Sequence, residues 1–160
     1  MSPVAGGSPP RDATLARMAD LGLALPPLRP KAGRYVGYVR AGELLFLAGQ
    51  GADGWTGRVG ADLTVKHGRA AARDCALNLL AQSADALDGR LDRVRRVVKV
   101  LGFVACTPEF TQCPQVLDGA SDLLVDVLGE NRAAAARSAI GVQALPLGFA
   151  VEVEMVLHVG

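Results

Sequence analysis

The sequence predicts a two-layer α+β sandwich with the order β-β-α-β-α-β-β, its helices covering one face of a five-stranded sheet. Three observations lead there. In the last run Val151, Val153, Met155 and Leu157 alternate with Glu152, Glu154 and His158, the period of a half-buried strand with two carboxylates on its open face. Two longer segments repeat apolar residues at spacings of three and four, the period of one-sided helices. Between them, Val94 to Cys106 is apolar on both faces, as a central strand covered twice would be.

Each element follows from local chemistry. Met1 to Pro10 is rich in Gly, Pro and Ser and predicts a disordered start. Residues 11–160 read as a single domain with an added N-terminal helix. Asp12 caps that helix, Leu15, Met18 and Ala19 share one side, and Gly22 stops it. Pro26, Pro27 and Pro30 stiffen an extended linker. Tyr35 to Arg40 and Glu43 to Ala48 predict a hairpin around Ala41-Gly42. Gly49 to Gly60 is a glycine-rich loop with Trp55 as its one large anchor. Thr64 or Asp62 caps a long helix to about Leu87, its stripe running through Ala72, Cys75, Ala76, Leu79, Leu80 and Ser83; Asp88-Gly89 ends it. Pro114 suits the first turn of a second helix, which reaches Leu128 and closes at Gly129. Leu145-Pro146-Leu147-Gly148 breaks the chain before the final strand.

Composition narrows the function classes. Half the residues are hydrophobic but only 4% aromatic, and the formal net charge is +1. A nucleic-acid surface would want a basic stripe interleaved with aromatics, so a nucleic-acid partner is not expected. Lys99 and Gly102 interrupt the best apolar run short of membrane-spanning length, and the first residues lack signal-peptide character; a cytoplasmic protein without membrane contact is the expectation. Cys75, Cys106 and Cys113 have no metal-ligand spacing, so no metal or cofactor is expected, and Cys75 reads as a small core residue. The open sheet face, with its carboxylates and apolar surface, predicts a homo-oligomer.

Arg137 stands just ahead of the penultimate strand, at short range from the carboxylates of the last one. An arginine and a carboxylate so placed can hold an acidic substrate and position a water.

Several stretches together resemble the Rid, or YjgF-like, family. They are Gly33-Arg34-Tyr35, the run Gly42 to Gln50, the helix around Ala71 to Leu80, Arg137-Ser138-Ala139, and Leu145-Pro146 followed by Val151-Glu152-Val153-Glu154. The similarity spans about Leu21 to Val159, in the manner of a branch of longer bacterial members. It implies a chorismate-mutase-like fold with a mixed sheet, assembled as a homotrimer with ligand clefts between subunits. The best-known members hydrolyse 2-imino acids and their enamine tautomers to 2-oxo acids and ammonia.

By that resemblance Arg137 would bind the substrate carboxylate, Glu152 would position the attacking water, and Tyr35 would stand at the cleft mouth. Gln50 would line the cleft, and Ala139 stands where well-studied deaminases carry cysteine. Val36-Gly37 likewise replaces their Ser-Gln. The expected ligand is a small 2-imino or 2-oxo acid. The alternatives are a non-catalytic trimer that binds small carboxylates and an RNA protein of the endoribonuclease type.

Overall fold

The computed structural model describes residues 12–160; the expectation for Met1 to Pro10 lies outside the described residues. The predicted order of strands and principal helices stands. Helix α1 spans Ala13–Asp20, strands β1 and β2 span Tyr38–Ala41 and Leu44–Gly51, and helix α2 spans Val65–Ala86. Strand β3 spans Val94–Ala105, helix α3 Cys113–Leu128, a single turn α4 Glu130–Ala133, β4 Ala136–Val142 and β5 Val151–Val159.

The caps are those the sequence offers. Asp12 accepts from the Thr14 and Leu15 amides with one carboxylate oxygen and from the Asp92 amide with the other, which ties α1 to the turn before β3. Thr64 caps α2 in a reciprocal pair with His67. Asp88 and Gly89 follow with positive φ, and Gly129 closes α3. The hairpin turn falls at Gly42-Glu43, one residue later than the sequence suggests, because Ala41 still pairs with Leu44. Tyr35 lies in the bend before β1 rather than on it.

The sheet order is β1-β2-β5-β3-β4. β4 runs parallel to β3, and the other neighbouring pairs are antiparallel. A parallel pair needs a crossover, which α3 provides between β3 and β4. Helix α2 makes the corresponding crossover between β2 and β3, and leaves a gap that β5 fills. The chain's last strand thereby becomes the centre of the sheet.

Helices α2 and α3 pack on one face. Val151, Val153, Met155 and Leu157 of β5 are buried there with Val97, Val100 and Val104 of β3, against Cys75, Leu79 and Leu80 of α2 and Leu117, Leu124 and Ala120 of α3. The two helices touch backbone to side: a Cβ at Gly119 would overlap the Arg69 carbonyl oxygen, so only glycine allows this approach. Trp55 anchors its loop by donating from Nε1 to Asp74 of α2 at 2.8 Å.

Among the described residues no helix covers the second face. β3 is therefore covered once rather than twice, and its outer side chains Leu101 and Phe103 are only half-buried. Phe46 and Ile140 are 44% and 46% exposed on the sheet. Among the described residues no helix is long and apolar enough to cross a membrane.

Candidate functional site

Strand register decides which side chains can meet. Glu152 pairs with Phe103 of β3, which in turn pairs with Ile140 of β4; this row lies on the bare face. Met155 pairs with Val100, and Val100 with Arg137; that row lies on the helix face. Paired residues in a sheet point to the same side, so Glu152 and Arg137 of one protomer point to opposite sides.

Around Glu152 is a cavity of about 400 Å3, walled by Arg29, Tyr35, Gln50, Leu147, Phe149 and the carboxylate itself. Three residues singled out in the sequence, Tyr35, Gln50 and Glu152, come together here. Arg137 and Ala139 do not. Ala139 pairs with Gly102 and packs towards the core beside Arg137.

The cavity owes its shape to an irregularity. The β2–β5 register shifts between Leu47 and Gln50, and such a shift re-aims the side chains beyond it. Gln50 is buried there, its amide donating to the Gly49 carbonyl at 2.9 Å. Gly49 has a steric task of its own: a Cβ at that position would overlap Oε1 of Glu152. The missing side chain leaves the carboxylate its place. Tyr35 lines the cavity, its hydroxyl accepting from the Ala32 amide at 3.3 Å.

Glu152 is half-buried. Its carboxyl is pushed above the ordinary glutamate range, first by removal from water and then by the charge of Glu154, its neighbour on the same face. A carboxylate raised this way is a better proton acceptor than a solvated one.

Arg29 is the residue that sequence reasoning missed. It lies within the proline-stiffened stretch that read only as a linker. Its side chain is 17% exposed, its guanidinium lies 4.8 Å over the Phe149 ring centre, and its Nη1 is 2.9 Å from Asp53. Flanking prolines give such a segment a fixed course, but nothing in one sequence says where that course leads.

On the far side of the sheet, Arg137 is already engaged. Nη1 donates to Asp118 Oδ1 at 2.9 Å and to Ser121 Oγ at 3.0 Å, and Nη2 to the Pro114 carbonyl at 3.3 Å. All three acceptors belong to α3. Asp118 also lies 3.6 Å from Arg69 of α2, which pairs with Asp122 at 2.7 Å.

The sequence pattern described as YjgF/chorismate mutase-like, putative endoribonuclease matches residues 15–154. The chain belongs to the YjgF family. Protein TCP17 of Trypanosoma cruzi is 44% identical over 163 residues, covering 99% of this chain and 98% of that protein. The crystal structure of Atu1372 from Agrobacterium tumefaciens, a protein of unknown function, is 38% identical with a TM-score of 0.86, over 93% of this chain and 94% of that one. A putative endoribonuclease from Shewanella oneidensis is 30% identical with a TM-score of 0.86, over 91% and 99%. The five-stranded mixed sheet with helices on one face is the YjgF/chorismate-mutase-like fold.

Proposed function

We propose that the Glu152 cavity hydrolyses small 2-imino acids and their enamine tautomers to 2-oxo acids and ammonia. What carries the reading is a half-buried carboxylate with raised proton affinity, set in a cavity with polar groups on its walls. Membership of the YjgF family supports it.

The chemistry needs little more than positioning. Glu152 takes a proton from water as the water oxygen bonds to the imine carbon. With the imine nitrogen already protonated in solution, the C=N π pair moves onto it and a neutral carbinolamine forms. Glu152 passes its proton to the amino nitrogen; the C–N bond breaks as a lone pair of the carbinol oxygen forms the C=O, ammonia leaves, and the carbinol O–H proton passes to Glu152 and on to solvent. Holding water and substrate together supplies the main rate gain for so reactive a substrate.

The reading includes a cytoplasmic homotrimer. The bare sheet face supports assembly, since Phe46, Ile140 and Leu101 would gain cover there. Only a second protomer could bring its own Arg137 near this cavity. The replacement of polar wall groups by Val36-Gly37 and Ala139 favours one competing reading, a carboxylate-binding trimer without turnover.

The test is to generate 2-iminobutanoate in solution and follow release of 2-oxobutanoate. Acceleration by wild type that falls about 100-fold or more in Glu152→Gln supports hydrolysis. Equal rates with and without protein would remove it. Retention of RNA by the purified protein would instead favour the endoribonuclease-type reading.

A further inference from the structure

We propose that Cys106 and Cys113 form a reversible oxidation site, in which a peroxide entering the cavity beside Cys106 joins the two thiols as a disulfide and fastens the start of α3 to the end of β3. Chemistry at Glu152 takes no part in it.

Six residues separate these cysteines along the chain, and the fold brings their sulfurs together. Cys106 directly follows β3, and Cys113 opens α3. Both are free thiols, 7% and 5% exposed. They share a space that Gly141 of β4 leaves open. A Cβ there would stand 2.7 Å from the Cys106 sulfur and 3.7 Å from the Cys113 sulfur, so a side chain would wedge into the pair. The two thiols hydrogen-bond to one another. Burial first, and then the charge and hydrogen bond of Cys106, push the Cys113 thiol above its ordinary range, so Cys113 keeps its proton.

The two sulfurs differ in access and in freedom. Cys106 lines a cavity of about 530 Å3 together with Arg58, Thr107, Phe110, Gly141 and Gln143, whereas Cys113 lies behind it, off the wall. A small peroxide therefore reaches Cys106 first. The Cys106 backbone is fixed: its carbonyl accepts from Arg58 Nη2 at 2.8 Å, and its amide donates to the Val142 carbonyl at 3.3 Å. Cys113 is held more lightly, because Gln112 gives α3 no side-chain cap. The first turn of α3 can thus shift to the separation of about 2.05 Å that an S–S bond requires. In the first step the Cys106 sulfur takes one peroxide oxygen as the O–O bond breaks. The product is a sulfenic acid, and the Cys106 proton leaves with the other oxygen, as water when the oxidant is hydrogen peroxide. In the second step the Cys113 sulfur bonds to the Cys106 sulfur, the S–O bond breaks, and hydroxide leaves with the Cys113 proton as water. The sulfurs give up two electrons in all, and the peroxide accepts them.

The test treats the reduced full chain with hydrogen peroxide, unfolds it, blocks the remaining thiols with N-ethylmaleimide and measures the mass. The chain should lose two hydrogens and take up one maleimide, on Cys75, instead of three. Cleavage after Glu109, which lies between the pair, should leave two pieces joined until dithiothreitol parts them. The oxidised chain should unfold about 5 °C higher than the reduced one, the scale of a disulfide closing a short loop, and reduction should reverse the rise. Cys106→Ser and Cys113→Ser should each abolish the link, Cys75→Ser should keep it, and Gly141→Ala should slow it several-fold. If treated wild type still takes three maleimides, gains oxygen instead of losing hydrogen, or links two chains together, the proposal falls. It falls equally if Cys75 is consumed as fast as the pair, or if the link lowers Tm. The mapping is done on wild type, so the result stands even where a serine variant folds poorly.

Discussion

Arg137 closes on Asp118 across the gap between the edge strand β4 and helix α3, Nη1 to Oδ1 at 2.9 Å, with Ser121 at 3.0 Å beside it. The pair fastens a strand that has only one neighbour in the sheet. Arg137→Gln should therefore destabilise the fold by about 1–2 kcal/mol, the scale of partly exposed charge-assisted hydrogen bonds. Thermal unfolding should show a fall of several degrees, with Asp118→Asn matching it. An unchanged Tm in both would mean that the pair contributes nothing to holding β4.

Glu152 has the opposite sign. Burial and Glu154 raise its carboxyl above the ordinary range in the folded chain. The proton is thus bound more tightly folded than unfolded. Its favourable contribution is present below the unfolded value of about 4.3 and is lost as pH rises through the raised folded value. Glu152→Gln, neutral at every pH, should have a higher Tm than wild type near pH 7, and the difference should close towards pH 4. A variant less stable than wild type at pH 7 would contradict the burial argument.

Glu154 tunes that proton affinity through its charge. With Glu152 as base, kcat/KM for 2-iminobutanoate falls as pH drops through the raised pKa. Glu154→Gln removes the repulsion and should move this acidic limb to lower pH, leaving the plateau rate within a few-fold. A limb that stays in place would detach Glu154 from the site.

Two glycines separate activity from stability. A Cβ at Gly49 meets the movable end of Glu152, whereas a Cβ at Gly119 meets the Arg69 backbone. Gly49→Ala should displace the carboxylate and lower turnover at least tenfold, with little loss of stability. Gly119→Ala should cost about 1–3 kcal/mol by forcing α2 and α3 apart. Parallel unfolding curves and rates for the two variants check the contrast.

The bare face gives a test of assembly. Phe46→Lys and Ile140→Lys place charge where the proposed trimer would bury apolar surface. Sedimentation should show dissociation towards the monomer at micromolar concentration for the double variant. A wild-type chain that sediments as a monomer would remove the trimer.

The sequence by itself determined the elements and their local faces. Val151, Val153 and Met155 had to point away from Glu152 and Glu154, because a strand's side chains alternate. Asp12, Thr64, Asp88-Gly89 and Gly129 had to mark helix ends, because backbone groups there need caps or positive φ. Tyr35, Gln50 and Glu152 were legible as a group through the family resemblance. The relation of Glu152 to Arg137 was not, since alternation sets faces within one strand and says nothing of the register between strands. Only the tertiary structure inserted β5 between β2 and β3, set β4 parallel to β3, and so put Arg137 in the row of Val100 and Glu152 in the row of Phe103. It alone brought Arg29, over a hundred residues earlier in the chain, onto the Phe149 ring beside Glu152. Pairings between residues so distant along the chain are decided by the packing of the whole molecule, which no local pattern encodes.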